Sequence, residues 1–361
     1  MSKIQKQIRR LLAVSALSSF QLAGASWVAL LAARGFSLVE IGLAESCFHV
    51  ASLIFEIPSG VISDVFGRKK SMVMSQAMFV LSALCMALSR GMTGVCLALV
   101  LDAWGYNFAS GAREALAYDS LKSAGQEEKY MDYSARELSI YRVGNAAAIL
   151  CAGLALLIGY RGAYLLDALF ALAGLALACG LQESKNGECA PQGSVPARIL
   201  GCFRDSLCFL VHSASSLRLM LASSLVGAAA TLTAFFLQAR LTRAGVSGAA
   251  LGPALFAISM GGAIGARLAV RISHWSYWRV FALCATGAAF GVACGAGMNA
   301  LWMCTGGFIA SLSGDLLEVR TDAALNERFP SSQRSTLLSV ASLVFSLVMI
   351  VLSPLAGMLF E

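Results

Sequence analysis

Gly60-Val-Ile-Ser-Asp64-Val-Phe-Gly67-Arg68-Lys69-Lys70 is a polar stretch between two apolar runs. The run before it, residues 41–59, carries Glu45, His49 and Glu56 as its only ionisable side chains, and the run after it, residues 71–89, carries none. Each run is close to the ~20 residues that cross a bilayer as a helix. In hydrocarbon only closed hydrogen-bonded elements survive, so the stretch reads as the tight turn of a transmembrane hairpin. Its residue types fit that reading. Gly67 permits the φ > 0 that reverses the chain, Gly60 lets a neighbouring backbone come close, and Arg68-Lys69-Lys70 places the turn on the cytoplasmic face. Asp64, at a helix end beside three cations, is placed to pair with one of them or to cap another helix N-terminus.

Composition extends this to the whole chain. Hydrophobic residues make up 58% and charged residues 13% of the 361, which excludes a soluble globular domain or a disordered chain. A net charge of +7 does not point to nucleic acid, because the cations fall between apolar runs and form no basic stripe interleaved with aromatics. Eleven cysteines without a C-x-x-C, three of them (Cys189, Cys202, Cys208) in the central loop, read as small buried hydrophobes. Three histidines without a nearby second one suggest no metal site. No nucleophile motif and no phosphate-cradling glycine loop occurs, so neither an enzyme nor a cofactor is expected and any energy input comes from an ion gradient.

Eleven segments have the length and polarity of spanning helices, at about residues 11–33, 41–64, 71–89, 94–118, 138–159, 162–181, 218–239, 248–271, 279–298, 300–321 and 335–359. Residues 182–217, with Pro191 and Pro196, form the linker. The expected organisation is an N-terminal six-helix bundle (1–181), a cytoplasmic linker (182–217) and a C-terminal bundle of five helices (218–361). With the N-terminus inside, twenty Lys and Arg fall on the cytoplasmic side and five outside. That asymmetry fixes the orientation and leaves no helix missed in the middle. The basic Met1–Arg10 before Leu11–Ala33 reads as the flank of an uncleaved first helix.

The order Gly60-x-x-x-Asp64-x-x-Gly67-Arg68-Lys69 between a second and a third helix resembles the hallmark loop of the major facilitator superfamily of transporters. That resemblance implies an all-α polytopic membrane protein with 11 predicted helices (6 + 5) around a central cavity. A full member has two six-helix halves, so one helix is missing from the second half, which Ser353–Glu361 suggests is truncated. It also implies an inner-gate charge network of Gly60, Asp64, Gly67, Arg68 and Arg113, facing the N-terminal end of helix eleven at Ser331-Ser332-Gln333-Arg334-Ser335. Ser110–Leu121 is similar to a branch of bacterial permeases of unassigned substrate. In two places the chain departs from drug/proton antiporters: Asp102 stands where many carry an Arg in helix four, and residues 144–159 lack the Gly-Pro of helix five. Gly261–Arg271 is a weak counterpart of the hallmark loop, and Gly287, Gly291 and Gly295 form a packing stripe.

Ionisable groups inside the membrane each cost about 2.5–3.5 kcal/mol to insert. Glu45, His49 and Glu56 lie within about 40° of one helix face, while Asp102, Tyr106 and Arg113 share a face of helix four and Asn107 and Glu114 share another. Each set reads either as a structural hydrogen-bond network or as part of the transport route. Trp104 is a candidate cavity wall; Asn145 and Arg142 in helix five, Asp167 in helix six, and Asp315 and Glu318 in helix ten need partners. The functional reading is a monomeric secondary active transporter of the inner or plasma membrane, binding a small molecule and coupled to protons, or another ion, through Glu56 or Asp102. Export of small amphipathic compounds is slightly favoured. Uptake of a polar nutrient through a cavity lined by Gln21, Asn107, Asn145 and Gln238 is the alternative, and a non-transporting membrane protein is the third reading.

Overall fold

The computed structural model describes residues 3–183, 200–201, 204, 214–328 and 334–361, and among these every regular element is helical. The first part contains α1 (Lys3–Ser19), α2 (Trp27–Ala33), α3 (Leu38–Phe66), α4 (Arg68–Leu88), α5 (Met92–Ala109), α6 (Ala112–Lys122), α7 (Tyr130–Leu150) and α8 (Ala152–Cys179). The second contains α9 (Ala214–Arg243), α10 (Gly248–Arg271), α11 (Tyr277–Gly295), α12 (Ala300–Asn326) and α13 (Arg334–Phe360). Among the described residues ten helical stretches are long and apolar enough to cross a membrane. The remaining expected span, the fifth at about 138–159, falls on α7 and the start of α8, and Asp132, Arg136, Glu137 and Arg142 dilute the apolar signal of α7.

Three expected helices are interrupted. Helix one divides into α1 and α2 around an irregular stretch at residues 20–23 and a 3-10 turn at Gly24–Ser26. Helix four divides into α5 and α6 at Ser110–Gly111, where Gly111 takes φ 70°. The face expected to join Asp102 and Tyr106 to Arg113 therefore does not continue across the break. Within α8, Gly159 is non-helical (φ 76°, ψ 162°) at the point where helices five and six were expected to meet.

The break in helix one follows from a buried carboxylate. Asp167 of α8 accepts the backbone N–H groups of Leu22 (2.7 Å), Ala23 (2.9 Å) and Gly24 (3.1 Å). Those donors have no helical partner once the chain unwinds, and without water a charged acceptor is an effective substitute. Gln238 of α9 serves the next turn, accepting from Val28 (3.2 Å) and Ala29 (3.4 Å) at the start of α2.

The described chain packs as two compact units that cut across its two halves. The first comprises Met1–Ala25, Ile54–Ala148 and Ile158–Phe203. Its core gathers Leu11, Val14, Met72, Leu116, Tyr133 and Leu181, and Gln7 of α1 ties down the end of helix six by exchanging hydrogen bonds with the Gln182 backbone (2.8 and 3.1 Å). The second comprises Ser26–Leu53, Ile149–Leu157 and Arg204–Glu361. Here Ala29 of α2 and Ala152 of α8 share a core with Leu237, Leu251, Leu255 and Met303.

Small residues set the close approaches in this second unit. In lipid, apolar area gives helices little reason to associate, so contact depends on tight packing and hydrogen bonds. Gly261, Gly262 and Gly265 of α10 lie against α12, at the Phe308 and Leu312 carbonyls and the Asp315 carboxylate. The Gly261–Arg271 stretch is thus a helix-packing surface, and the turn after it is residues 272–276. Gly287 and Gly291 of α11 meet Ser313 and Ala310 of α12 as a stripe of that spacing should. Arg240 closes one end of the unit by donating to the carbonyls of Phe360 (3.0 Å), Ala296 (2.8 Å) and Gly297 (2.6 Å), the C-termini where a cation is most favourable.

Helix α3 crosses α13 where Gly42 lies on the Ser353 carbonyl and Gly357 on Leu38. Pro354 inside α13 has no N–H for Ile350 O, four residues earlier. Ser46 of α3 supplies the missing donor at 2.9 Å.

Two measurements check these assignments. Ser46→Ala is expected to cost about 1 kcal/mol, the scale of a side-chain hydrogen bond in a membrane bundle, and to lower the melting temperature in detergent. In a Pro354→Ala background, where residue 354 regains its N–H, the same substitution should cost close to nothing. Asp167→Asn puts an amide N–H₂ among three N–H donors, and backbone exchange at residues 22–24 should accelerate by tenfold or more in hydrogen-exchange mass spectrometry, as follows from losing about 1.5–3 kcal/mol of charge-assisted bonding.

Candidate functional site

The hallmark turn is built from backbone geometry and a partner far along the chain. Gly67 takes φ 103° and closes α3 against α4, a conformation costly for any residue with a Cβ. A side chain there would also strike the Glu183 carboxylate. Glu183 accepts the N–H groups of Arg68 and Lys69, each at 3.0 Å, and so caps the N-terminus of α4 with a negative charge. The first acid after the sixth helix therefore occupies the place that sequence reasoning considered for Asp64. Arg68 pairs with Asp119 of α6, and Asp64 itself is exposed. Gly60 has no neighbour within 4 Å of the position a Cβ would take, so the close backbone approach expected there is not made among the described residues.

Arg113 pairs with α7. Its Nη1 lies 2.9 Å from Glu137 Oε1 on α7, and Ser15 of α1 donates to the same oxygen at 2.6 Å. Both charged side chains are largely buried, so removing either would leave an uncompensated charge, the costly outcome for a buried pair. Helices one, four and five thus meet at one carboxylate. Of the helix-eleven end expected to face this region, residues 331–333 lie outside the described residues.

Deeper in the first unit, Tyr106 of α5 donates to Gln21 Oε1 (3.3 Å) in the unwound stretch of helix one, and Asp102, Tyr141 and Asp167 are its electrostatic neighbours. Tyr106 is 46% exposed as a residue. Asn145 and Tyr141 of α7 are exposed as well, Asp102 and Glu56 are half-buried, and Asn107 is buried. Trp104 stacks on Phe55 of α3 (5.1 Å, 28°), and Phe108 meets the same ring edge-on. This aromatic group fixes α5 against α3 beside Glu56. Gln21 was among the residues expected to line a polar cavity; its pairing with Tyr106 was missed because a continuous helix one gives no reason to bring the two together.

In the second unit Glu45 and His49 of α3 contact each other and α13. His49 Nε2 lies 3.3 Å from Glu45, and His49 Nδ1 lies 3.3 Å from Ser346 Oγ of α13. Other seams in this unit are backbone to backbone: Gly153 of α8 lies on the Gly248 carbonyl, and Gly252 of α10 on the Leu150 carbonyl. Among the described residues no group of three or more His, Cys, Asp or Glu is placed to hold a metal ion.

Known structures place this arrangement. A variant of the nucleoside transporter NupG superposes with a TM-score of 0.76 at 14% identity, covering 96% of this chain and 90% of that one. A bacterial homologue of the human lysosomal transporter Spinster, in an inward-facing and unoccupied conformation, gives 0.73 at 16% identity over 98% of this chain and 82% of that one. A D-xylose–proton symporter gives 0.68 at 13% identity, covering 99% and 90%. No curated protein matches the sequence. The family match runs over residues 11–354, taking in the hallmark turn, both packing units and the broken first helix; this chain, a multi-pass membrane protein with a transporter fold, belongs to the Major Facilitator Superfamily.

Proposed function

We propose that the protein is a proton-coupled secondary active transporter of the inner or plasma membrane, with its N-terminus cytoplasmic. It works by rocking two bundles, residues 1–181 and 218–361, about a central site. The observation that carries this reading is the membership of the second unit. Residues 26–53 and 149–157, sequentially part of the first bundle, pack with the second. With the N-terminus inside, these segments flank the loops at Arg34 and Gly159, so their docking describes a closed outer gate. Its contacts include the glycine seams at Gly42, Gly153 and Gly252, the hydrogen bonds that Gln238 accepts and the one that Ser46 donates. Such a seam can part without opening either bundle's own core.

The face of the first unit that includes Gln21, Tyr106, Tyr141 and Asn145 supplies polar contacts beside the Phe55–Trp104–Phe108 group. Polar and aromatic surface side by side suits a small amphipathic compound, and export is the favoured direction. Uptake of a small polar solute is the second reading, supported by the Tyr106–Gln21 pair; Gln238, once a candidate for such a cavity, is engaged with the backbone of α2. Asp64, Arg68 and Arg113 belong in this proposal to the inner gate, with Arg68 paired to Asp119 and Arg113 to Glu137. Glu56 and Asp102 are the coupling carboxylates, because a carboxyl group away from water can change protonation within the working pH range.

A substrate panel in proteoliposomes, with and without an imposed pH gradient, tests the assignment. Gradient-driven flux is expected in the wild type, and Glu56→Gln or Asp102→Asn should cut it at least about tenfold, the effect of one pKa unit of lost coupling, while leaving downhill exchange measurable. Undiminished gradient-driven flux in both variants would remove these two residues from the coupling route.

A further inference from the structure

The break in helix one serves its backbone donors and acceptors unequally. In an unbroken helix the N–H groups of Leu22, Ala23 and Gly24 would close on the carbonyls of Ser18, Ser19 and Phe20, four residues earlier. Here all three N–H groups go to Asp167, and among the described residues those three carbonyls accept no hydrogen bond. Ser19 is buried and Ser18 and Phe20 are half-buried, near the middle of the Lys3–Ala33 span. At that depth an unmet carbonyl is costly unless the backbone lines a polar cavity or meets a ligand.

Further oxygen atoms gather at the same break. Gln21 folds its Oε1 back to 2.8 Å from the point that a Cβ on Gly24 would occupy, and the Tyr106 hydroxyl donates to that oxygen (3.3 Å). With its proton spent there, the hydroxyl oxygen is an acceptor toward any further group. Among the side chains that act electrostatically on Tyr106 are Asp102, Tyr141 and Asp167, two of them carboxylates. The carbonyl end of α1 adds the negative pole of its helix dipole. Water can satisfy a carbonyl, but a surplus of acceptors beside two carboxylates and a negative helix end favours a positive ligand over a neutral one.

We propose that the break in helix one binds a small monovalent cation, held by the carbonyls of Ser18, Ser19 and Phe20 with Gln21 Oε1 and the Tyr106 hydroxyl, and countered by Asp102. An alkali ion and the primary ammonium group of a solute share this chemistry, since each is compact, singly charged and matched by oxygen acceptors. Asp167 stays on its three N–H groups and keeps the carbonyls free of them. The binding is a property of the first unit alone; its use in driving a solute rests on the transport reading above.

Hydrogen-exchange mass spectrometry on the purified full chain in nanodiscs tests the site, following peptides within residues 17–26 as sodium chloride or methylammonium chloride replaces choline chloride at constant ionic strength. Choline is bulky and has no N–H, so it serves as the inert cation. Exchange at residues 22–24 should slow saturably, by about tenfold when the cation reaches about ten times its Kd, as mass action requires. A response to sodium assigns the site to an alkali ion, a response to methylammonium alone assigns it to the ammonium group of a solute, and a response to neither overturns the proposal. Gln21→Leu and Tyr106→Phe should each weaken the response at least about tenfold, the scale of one contact to a charged group. Wild-type exchange in residues 219–241 shows that a variant is folded, and a folded pair of variants with undiminished response would also overturn the site. Flux driven by a pH gradient in a chain that gives no cation response would sink this site and spare the transport reading, whereas a cation response without flux of any compound in the panel would do the reverse.

Discussion

Hydrocarbon offers a backbone N–H or C=O no partner, and much of what is distinctive in this structure follows from that constraint. Where helix one unwinds, Asp167 takes three N–H groups and Gln238 takes two more. Where Pro354 orphans a carbonyl, a serine from another helix reaches it. Where two helices end, Arg240 gathers their last carbonyls, and Glu361 accepts from the Leu38 N–H at the start of α3 (2.6 Å). At these points a polar side chain in one segment is matched to a backbone fault in another. Such matches specify which helices meet, something apolar area cannot do among lipid tails.

The same constraint shapes the contacts on which the proposed transport cycle depends. Inside the second half of the chain, α10, α11 and α12 interlock through glycines and alanines over several turns. Between that half and residues 26–53 and 149–157, the described contacts include glycine approaches at Gly42, Gly153, Gly252 and Gly357, a core around Ala29 and Ala152, and hydrogen bonds of Gln238, Ser46 and His49. The buried His49 lies among these contacts, whereas Asp167 has three donors around it in the other unit.

The sequence made the spans, their alternation and the hallmark turn legible, because each depends on local chemistry. Gly67 was readable from its neighbours alone. The break in helix one was not: residues 20–23 contain no proline and no glycine, and the group that stabilises the break is 145 residues away at Asp167. The ion pairs were misassigned for a similar reason. Asp64 was the one acid near Arg68 in sequence, yet Arg68 pairs with Asp119, and Glu183 at the edge of a polar linker gave no sign that it caps a helix. Helix four read as continuous because Gly111 is tolerated in a helix pattern, and only its left-handed conformation marks the break. Glu45 and His49 were placed correctly on one face of their helix, but Ser346 could not be paired with them before the crossing of α3 and α13 was known.

The claim on which the functional account stands is that the seam at residues 26–53 and 149–157 opens and closes. Spin labels carried on unnatural amino acids in the loops at Gly35 and Gly245, both within the second unit, would report it by pulsed electron resonance in nanodiscs. Alternating access predicts two distance populations, a short one matching the closed seam and a longer one, whose proportions change with substrate or an altered pH. A single short distance, unmoved by any substrate of the panel and by pH, would contradict it.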